Sequence, residues 1–361
     1  MAREPVSTQQ EGAEPDRYGL TPHPRKHFDL VGHGEAERAF LDAWRAGRLH
    51  HAWLIGGPRG IGKATFAYRA ARFLLANPDP AVAPAVRDLA VAPDHPVARK
   101  VAALSHPDLV VLRRTPGTDK KGPSSVIAIE SVRRALAVFG STAGAGGYRI
   151  CIVDSAEDLN VASANALLKV VEEPPPRSIF LIVKHNPGRV MATIRSRCRK
   201  LALGELLPDE IERVVEGLGA PWDAIEPGLR ARAAALAQGS VQGALDLLDE
   251  ERIAVIERVR TMLARLPAFD MGEVLGLAET CAGRDGEEAF AALMATIDMF
   301  VTQTIHARAG EGAARLAPLV EVWEKSRGAA REAQVFHLDR RPLVLSIFSD
   351  LAGALRHGEA A

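Results

Sequence analysis

Apolar residues along the chain fall into two rhythms. Unbroken apolar runs occur at Ala52-Trp53-Leu54-Ile55, Leu109-Val110-Val111-Leu112, Arg149-Ile150-Cys151-Ile152-Val153-Asp154 and Ile179-Phe180-Leu181-Ile182-Val183. Short runs without alternation predict strands buried on both faces. Between them the spacing is helical. Gly34 to Arg45 places Ala39, Phe40 and Ala43 on one side, and Lys63 to Ala76 repeats Phe66, Ala70, Phe73 and Leu74 at i, i+4, i+7 and i+8; Ile129 to Phe139 and Ala162 to Val171 follow the same rule. Strands alternating with helices predict a parallel sheet covered on both faces. Beyond Leu203 the strand signal fades. Pro208 to about Glu250 reads as short helices, with Gly239-Ser240 as a turn and N-cap before Val241 to Leu248. From Arg252 the pattern is helical almost to the end, broken near Gly283-Arg284-Asp285-Gly286 and around Pro342.

The predicted architecture is therefore α/β plus all-α: an α/β domain over 27–205, a small helical domain over 206–250 and a larger helical one over 251–361. Residues 1–26, rich in Pro, Gly, Glu and Gln and lacking an apolar run, read as a disordered tail and neither a signal peptide nor an anchor. Asn77 to Pro96 reads as an irregular insertion. With 47% hydrophobic and 25% charged residues the chain has the profile of a soluble globular protein, and the absence of a long apolar run predicts no membrane span. Lys plus Arg and Asp plus Glu both total 45, so no overall field draws the molecule onto nucleic acid, and any DNA contact must be local or made by partners. Cys151, Cys198 and Cys281 share no metal-ligand spacing, which predicts no zinc, no disulfide framework and a reducing cytoplasm.

Gly57-Pro58-Arg59-Gly60-Ile61-Gly62-Lys63-Ala64 has the spacing of a phosphate-binding loop between a strand and a helix. Glycines let the backbone turn its amides toward phosphate oxygens, and the helix adds the positive end of its dipole. Lys63 is placed to reach the outer phosphates. The final position ordinarily supplies a Ser or Thr hydroxyl to Mg²⁺; here it is Ala64, and Thr65, one helical step on, is rotated by roughly 100°. Asp154, ending the third apolar run, is the candidate acid for the metal's hydration shell. Its successor is Ser155, which makes a poor base near neutral pH; Glu157 is the nearest acid that could compensate. The predicted nucleotide-binding set is thus Gly57 through Thr65 with Asp154, and no resident metal site. Adjacent His50 and His51 are expected to point to opposite sides of an extended segment, which argues against a metal pair.

Ser163-Ala164-Asn165-Ala166-Leu167-Leu168-Lys169-Val170-Val171-Glu172-Glu173-Pro174-Pro175 closely resembles the signature of clamp-loader subunits of the AAA+ class, and Ser196-Arg197-Cys198 resembles their S-R-C motif. With Leu49 to Leu54, the phosphate loop and His106-Pro107-Asp108, the likeness runs from about His27 to Leu203. It is best to the delta-prime subunits of bacterial DNA polymerase III, whose nucleotide site is typically degraded.

The resemblance implies a five-stranded parallel sheet, a helical lid domain over 206–250 and a C-terminal helical collar over 251–361 that joins a ring. It implies ATP as the bound nucleotide, with Mg²⁺ as its partner ion, and other loader subunits (gamma/tau and delta) as neighbours. The sliding clamp and primer-template DNA would be met through the assembly. Arg197 would project into a neighbour's ATP site as an arginine finger. Two departures matter: Gln242 stands where active members carry a sensor Arg, and Phe73 to Leu112 lacks the four-Cys zinc module of many relatives. With Ala64 and Ser155, Gln242 implies a chain whose own ATPase is weak or absent. The alternative is an active gamma-type ATPase, supported by the intact Gly57 to Lys63 loop and Asp154. A small-molecule P-loop kinase would leave both signature motifs without a purpose.

Overall fold

The computed structural model describes residues 14, 16–82, 86–115, 124–139, 147–186, 188–282 and 286–360. The chain divides into two compact units, Met1–Asp246 and Leu247–Ala361.

In the first unit the elements run α1 (Gly34–Arg45), β1 (Ala52–Gly56), α2 (Lys63–Ala76), α3 (Pro96–Ala102), β2 (Leu109–Arg113), α4 (Ile129–Phe139), β3 (Arg149–Asp154), α5 (Val161–Glu172), β4 (Ser178–Val183), α6 (Ala192–Arg197), β5 (Arg199–Ala202), α7 (Pro208–Gly217), α8 (Pro227–Leu236) and α9 (Val241–Asp246). The five strands form one sheet in the order β2-β3-β4-β1-β5, every pair parallel. Each strand divides its side chains between two cores, as the two-residue period of a strand requires. Trp53, Ile55, Ile150, Ile152, Ile179 and Leu181 pack with α1 and α2 on one face. Leu54, Cys151, Val153, Phe180 and Ile182 pack with α4, α5 and α6 on the other. Both faces are covered, which is why the strands read as continuous apolar runs.

The strand missing from the periodicity is β5. It is a short edge strand with only Leu201 buried and Arg199, Lys200 and Ala202 exposed, so no apolar run marks it. Its register is nevertheless defined: Arg199 lies beside Trp53 and Ala202 beside Gly56.

The expectation of a disordered tail to residue 26 does not hold for Asp16 to Lys26; residues 1–13 and 15 lie outside the described residues. His23 is buried, Pro24–Lys26 form a turn of 3-10 helix, and Asp16 pairs with Arg113 at 2.7 Å. The buried guanidinium of Arg72 donates to the carbonyls of Arg25 at 2.9 Å and His27 at 2.8 Å and lies over the Phe28 ring. Composition signals how much apolar area a segment can bury, and these residues are held by charge and hydrogen bonding instead. The described part of the 77–96 insertion is irregular but pinned, with Leu89 in the core and its amide donating to Glu37 Oε1 at 3.0 Å. The helices expected as a lid domain over 206–250, α7 to α9, lie within the first unit.

The second unit is helical: α10 (Glu250–Ala264), α11 (Met271–Thr280), α12 (Glu287–Ala307), α13 (Ala313–Val335) and α14 (Arg341–Ala360). Its core joins Ile253, Val259, Leu277, Leu293, Ile297 and Phe348. The break expected around Pro342 falls just before it, with Pro342 in the first turn of α14, where a missing N–H costs nothing. Residues 283–285, the other expected break, are outside the described set. Among the described residues no helix is long and apolar enough to cross a membrane.

Phe180 is fully buried and stacks on Phe139 at 5.2 Å between ring centroids. Phe180→Ala is expected to cost about 3–5 kcal/mol, read as a lower guanidinium chloride midpoint at unchanged slope. A loss below about 1 kcal/mol would remove this stack from the core that carries the sheet.

Candidate functional site

The carboxyl ends of parallel strands are where an α/β sheet leaves room for a ligand. At that edge β1 turns through Gly57, Gly60 and Gly62, whose φ values of 147°, 76° and 98° lie in the left-handed region open to glycine. At Gly57 a Cβ would strike the Leu203 carbonyl, and at Gly60 it would strike Ser240 and Gln242. The loop is therefore seated against the segment leading into α9. Ser240 Oγ donates to the Arg59 carbonyl at 2.9 Å and accepts from the Gly243 amide at 3.0 Å, so the predicted N-cap also holds the phosphate loop. The Val241 amide donates to the Gly60 carbonyl at 3.0 Å.

Two cavities open here. One, about 200 Å³, runs beside Gly60 to Thr65 and is largely apolar, with Leu30, Val31, Ile61, Val214, Leu218 and Leu245 in its wall. The second, about 440 Å³, is polar and takes in Arg59, Ala64, Arg114, Asp154, Glu157 and Asp158. Gly60, Ala64, His185 and Gln242 border both. An apolar slot for a base beside a charged chamber at a glycine turn suits a nucleotide.

Each predicted residue has a definite place. Ile61, Gly62, Lys63, Ala64 and Thr65 line the apolar cavity, Arg59 and Asp154 the polar one. Gly57 and Pro58 line neither; their carbonyls accept from Lys63 Nζ, Gly57 at 2.8 Å. Lys63 is only 3% exposed, and burial pushes its pKa down to about 8 against the pull of Glu157 and Asp154. Thr65 borders only the apolar cavity, apart from Asp154, as its rotation on the helix requires. Ser155 is buried and lines the polar cavity beside Asp154. Among the described residues no cluster of three or more His, Cys, Asp or Glu could hold a metal ion.

Glu157, the acid expected to be able to compensate for the missing base, lines the polar cavity. Its Oε1 accepts from the backbone amides of His185, at 2.6 Å, and Asn186, fixing the loop after β4. Two histidines went unnoticed in the sequence. His33, buried, meets the Ile61 carbonyl through Nε2 at 2.6 Å; since a carbonyl can only accept, Nε2 carries the proton and braces the loop. His185 borders both cavities, and burial beside Lys63 pushes its pKa down to about 4, so it is neutral. No motif marks either one.

Arg197 lies elsewhere. It ends α6, immediately before β5, and β5 begins beside the start of β1. It therefore sits at the opposite edge of the sheet from its own phosphate loop, roughly 15 Å away along the strands. Its guanidinium is partly exposed, with Nη2 paired to Glu172 Oε1 at 2.6 Å and Nη1 donating to the Thr193 carbonyl at 3.2 Å. The two signature motifs thus meet in this ion pair: the apolar positions of α5, Leu167, Leu168 and Val171, enter the core, and Glu172 receives Arg197. Of the neighbouring basic residues, Arg199 stacks over Trp53 at 4.8 Å. Burial pushes the Cys198 thiol up to about 11, which excludes a reactive thiolate.

The expectation that His50 and His51 diverge is corrected: their rings stack at 4.3 Å. His50 Nδ1 bonds back to the Ala52 backbone, which curls the segment out of the extended conformation the alternation rule assumes.

Residues 32–206 match the family described as DNA polymerase III, delta subunit. The chain is 33% identical over 229 residues to the DNA polymerase III subunit delta' of Pseudomonas aeruginosa, covering 59% of this chain and 61% of that protein. With the delta' subunit of Yersinia pestis it shares 33% identity over 222 residues, covering 60% and 61%. With the tau subunit of Escherichia coli it shares 28% over 272 residues, covering 74% of this chain and 40% of tau. The alignment spans about three fifths of the length of the delta' relatives. Over residues 32–206, then, the chain is similar to the family described as DNA polymerase III, delta subunit, and its relatives of 33% identity are delta' subunits.

Proposed function

We propose that this chain is a clamp-loader subunit of the delta-prime kind, which completes a neighbour's ATP site with Arg197 and turns over ATP poorly or not at all in its own. The observation that carries this reading is the placement of Arg197: partly exposed, tied to Glu172, and a sheet's length from the phosphate loop of the same chain. A guanidinium there cannot serve its own nucleotide but can meet one held by an adjacent subunit. It would present forked donors to a γ-phosphate and neutralise charge that builds as the bond breaks, an effect worth about 10³–10⁵ in rate where such fingers act.

The chain's own pocket supports the second half of the reading. Its loop amides, Lys63 and apolar slot fit ATP, whereas magnesium finds Asp154 without the hydroxyl that Ala64 lacks, and Gln242 offers no charge. Burial, with Asp16 and Asp158 adding to it, pushes the Asp154 pKa up to about 7 over the opposing pull of Lys63 and Arg114. A carboxyl protonated in a large share of molecules near neutral pH is a weak cation ligand. In the assembly, α7 to α9 would act as the lid, the second unit as the collar, and the neighbours would be gamma/tau-type and delta-type subunits, with the sliding clamp and primer-template DNA met through the whole complex.

In a loader reconstituted with bacterial DNA polymerase III subunits, Arg197→Ala is expected to lower ATPase turnover at least about tenfold while the complex elutes intact. The isolated chain should show no Mg²⁺-dependent turnover. Unchanged turnover in the variant assembly removes the finger, and turnover of the isolated chain abolished by Lys63→Ala favours a gamma-type motor instead.

The Asp154 pKa also has a sign. Because it is raised on folding, the folded chain holds more protons than the unfolded between about pH 4 and 7, and stability falls as pH rises through that window. Asp154→Asn is expected to be more stable than the parent by roughly 4 kcal/mol at pH 8, with the gap closing by pH 4, in urea unfolding at both pH values. A gap that does not change with pH would show that Asp154 stays ionised in the fold.

A further inference from the structure

The N-terminal segment crosses the nucleotide site. Asp16 and Tyr18 border both cavities, and Arg17 borders the polar one. Asp16, with its side chain 6% exposed, is held at one end by Arg113, where β2 finishes, at 2.7 Å and by His23 at 3.0 Å. At the other end the Tyr18 hydroxyl donates to Asp246 at the end of α9. The span runs from the β2 side of the sheet, over the Gly57–Lys63 turn, to the helix that carries Gln242.

Two features mark the segment as removable. Among the described residues its backbone hydrogen bonds are local: Arg17 donates to the Glu14 carbonyl and Thr21 to that of Tyr18, both at 3.0 Å, with no pairing to the sheet. Arg17 closes the same turn, its Nε donating to the Thr21 carbonyl at 2.7 Å and its Nη2 to that of Leu20 at 2.8 Å. The turn is thus preformed and attached to the body of the protein mainly through side chains. Its chemistry is also wrong for a phosphate cradle. Asp16 adds a carboxylate to a chamber that already contains Asp154, Glu157 and Asp158, so that with the strap in place its four acids match Arg17, Arg59, Arg114 and Arg189 in number. A triphosphate entering that chamber would meet the Asp16 carboxylate at short range, and moving the strap aside leaves Arg59, Arg114 and Arg189 to face it.

We propose that residues 16–21 form an autoinhibitory strap, latched by Tyr18 to Asp246, that places Asp16 in the phosphate chamber and must swing away before a nucleoside triphosphate can be seated. This rests on the reading of the two cavities as a nucleotide site. A strap that is closed most of the time lowers apparent affinity by the fraction of molecules in which it is open.

The test compares the full chain, Tyr18→Phe, and a chain starting at Leu20, each shown to be folded by its thermal transition, for binding of a fluorescent N-methylanthraniloyl ATP. The truncated chain is expected to bind about tenfold tighter or better, with Tyr18→Phe shifted the same way. If truncation prevents folding, tryptic cleavage of the full chain after Arg17 decides: ATPγS should accelerate it. Equal affinities, or weaker binding and slower cleavage with nucleotide, overturn the strap and make the segment a wall of the pocket. Absence of binding in every form overturns the nucleotide site itself, and the strap with it.

Discussion

A parallel sheet has two chemically unlike edges, and this chain carries Lys63 beyond the end of β1 at one and Arg197 ahead of β5 at the other. At the carboxyl ends of the strands the backbone emerges into a glycine turn and a helix N-terminus, which favours anions. At the amino ends, the parallel pairing of β5 with β1 starts Arg199 beside Trp53 and so fixes the preceding residues of α6 at that margin. The distance between Lys63 and Arg197 is therefore set by the strands and cannot be closed by side-chain motion.

At the phosphate-loop end the parts that shape the loop are intact: the left-handed glycines, the His33 brace to Ile61, and Ser240 bridging to Arg59. On the function proposed above, the parts that would drive hydrolysis are not. Ala64 has no hydroxyl, Ser155 has no carboxylate, Gln242 carries no charge, Glu157 commits Oε1 to backbone amides, and Lys63 is turned onto the loop's own carbonyls. Shape depends on backbone conformation and packing, which also hold the domain together, whereas catalysis depends on a few side chains that can change without unfolding anything.

The same division explains what could be read in advance. Periodicity located four strands and the helices around them because burial on both faces leaves an unambiguous apolar run, and the loop was legible because glycine at those positions has a steric reason. Edge strand β5 was hidden by its exposed basic residues, the Asp16–Lys26 segment by its Pro-rich composition, and the stacked His50 and His51 by a local curl that alternation does not anticipate. His33 and His185 were invisible because each acts through one tertiary contact with no spacing rule behind it.

The claim on which the account turns is that Arg197 faces a nucleotide bound by another subunit. The native cysteines are buried, so Arg197→Cys can carry a thiol-directed photo-crosslinker in the assembled loader. The account predicts adducts with the phosphate-loop region of a different subunit, formed when ATP is present. Adducts confined to this chain, or none with any subunit, would contradict it.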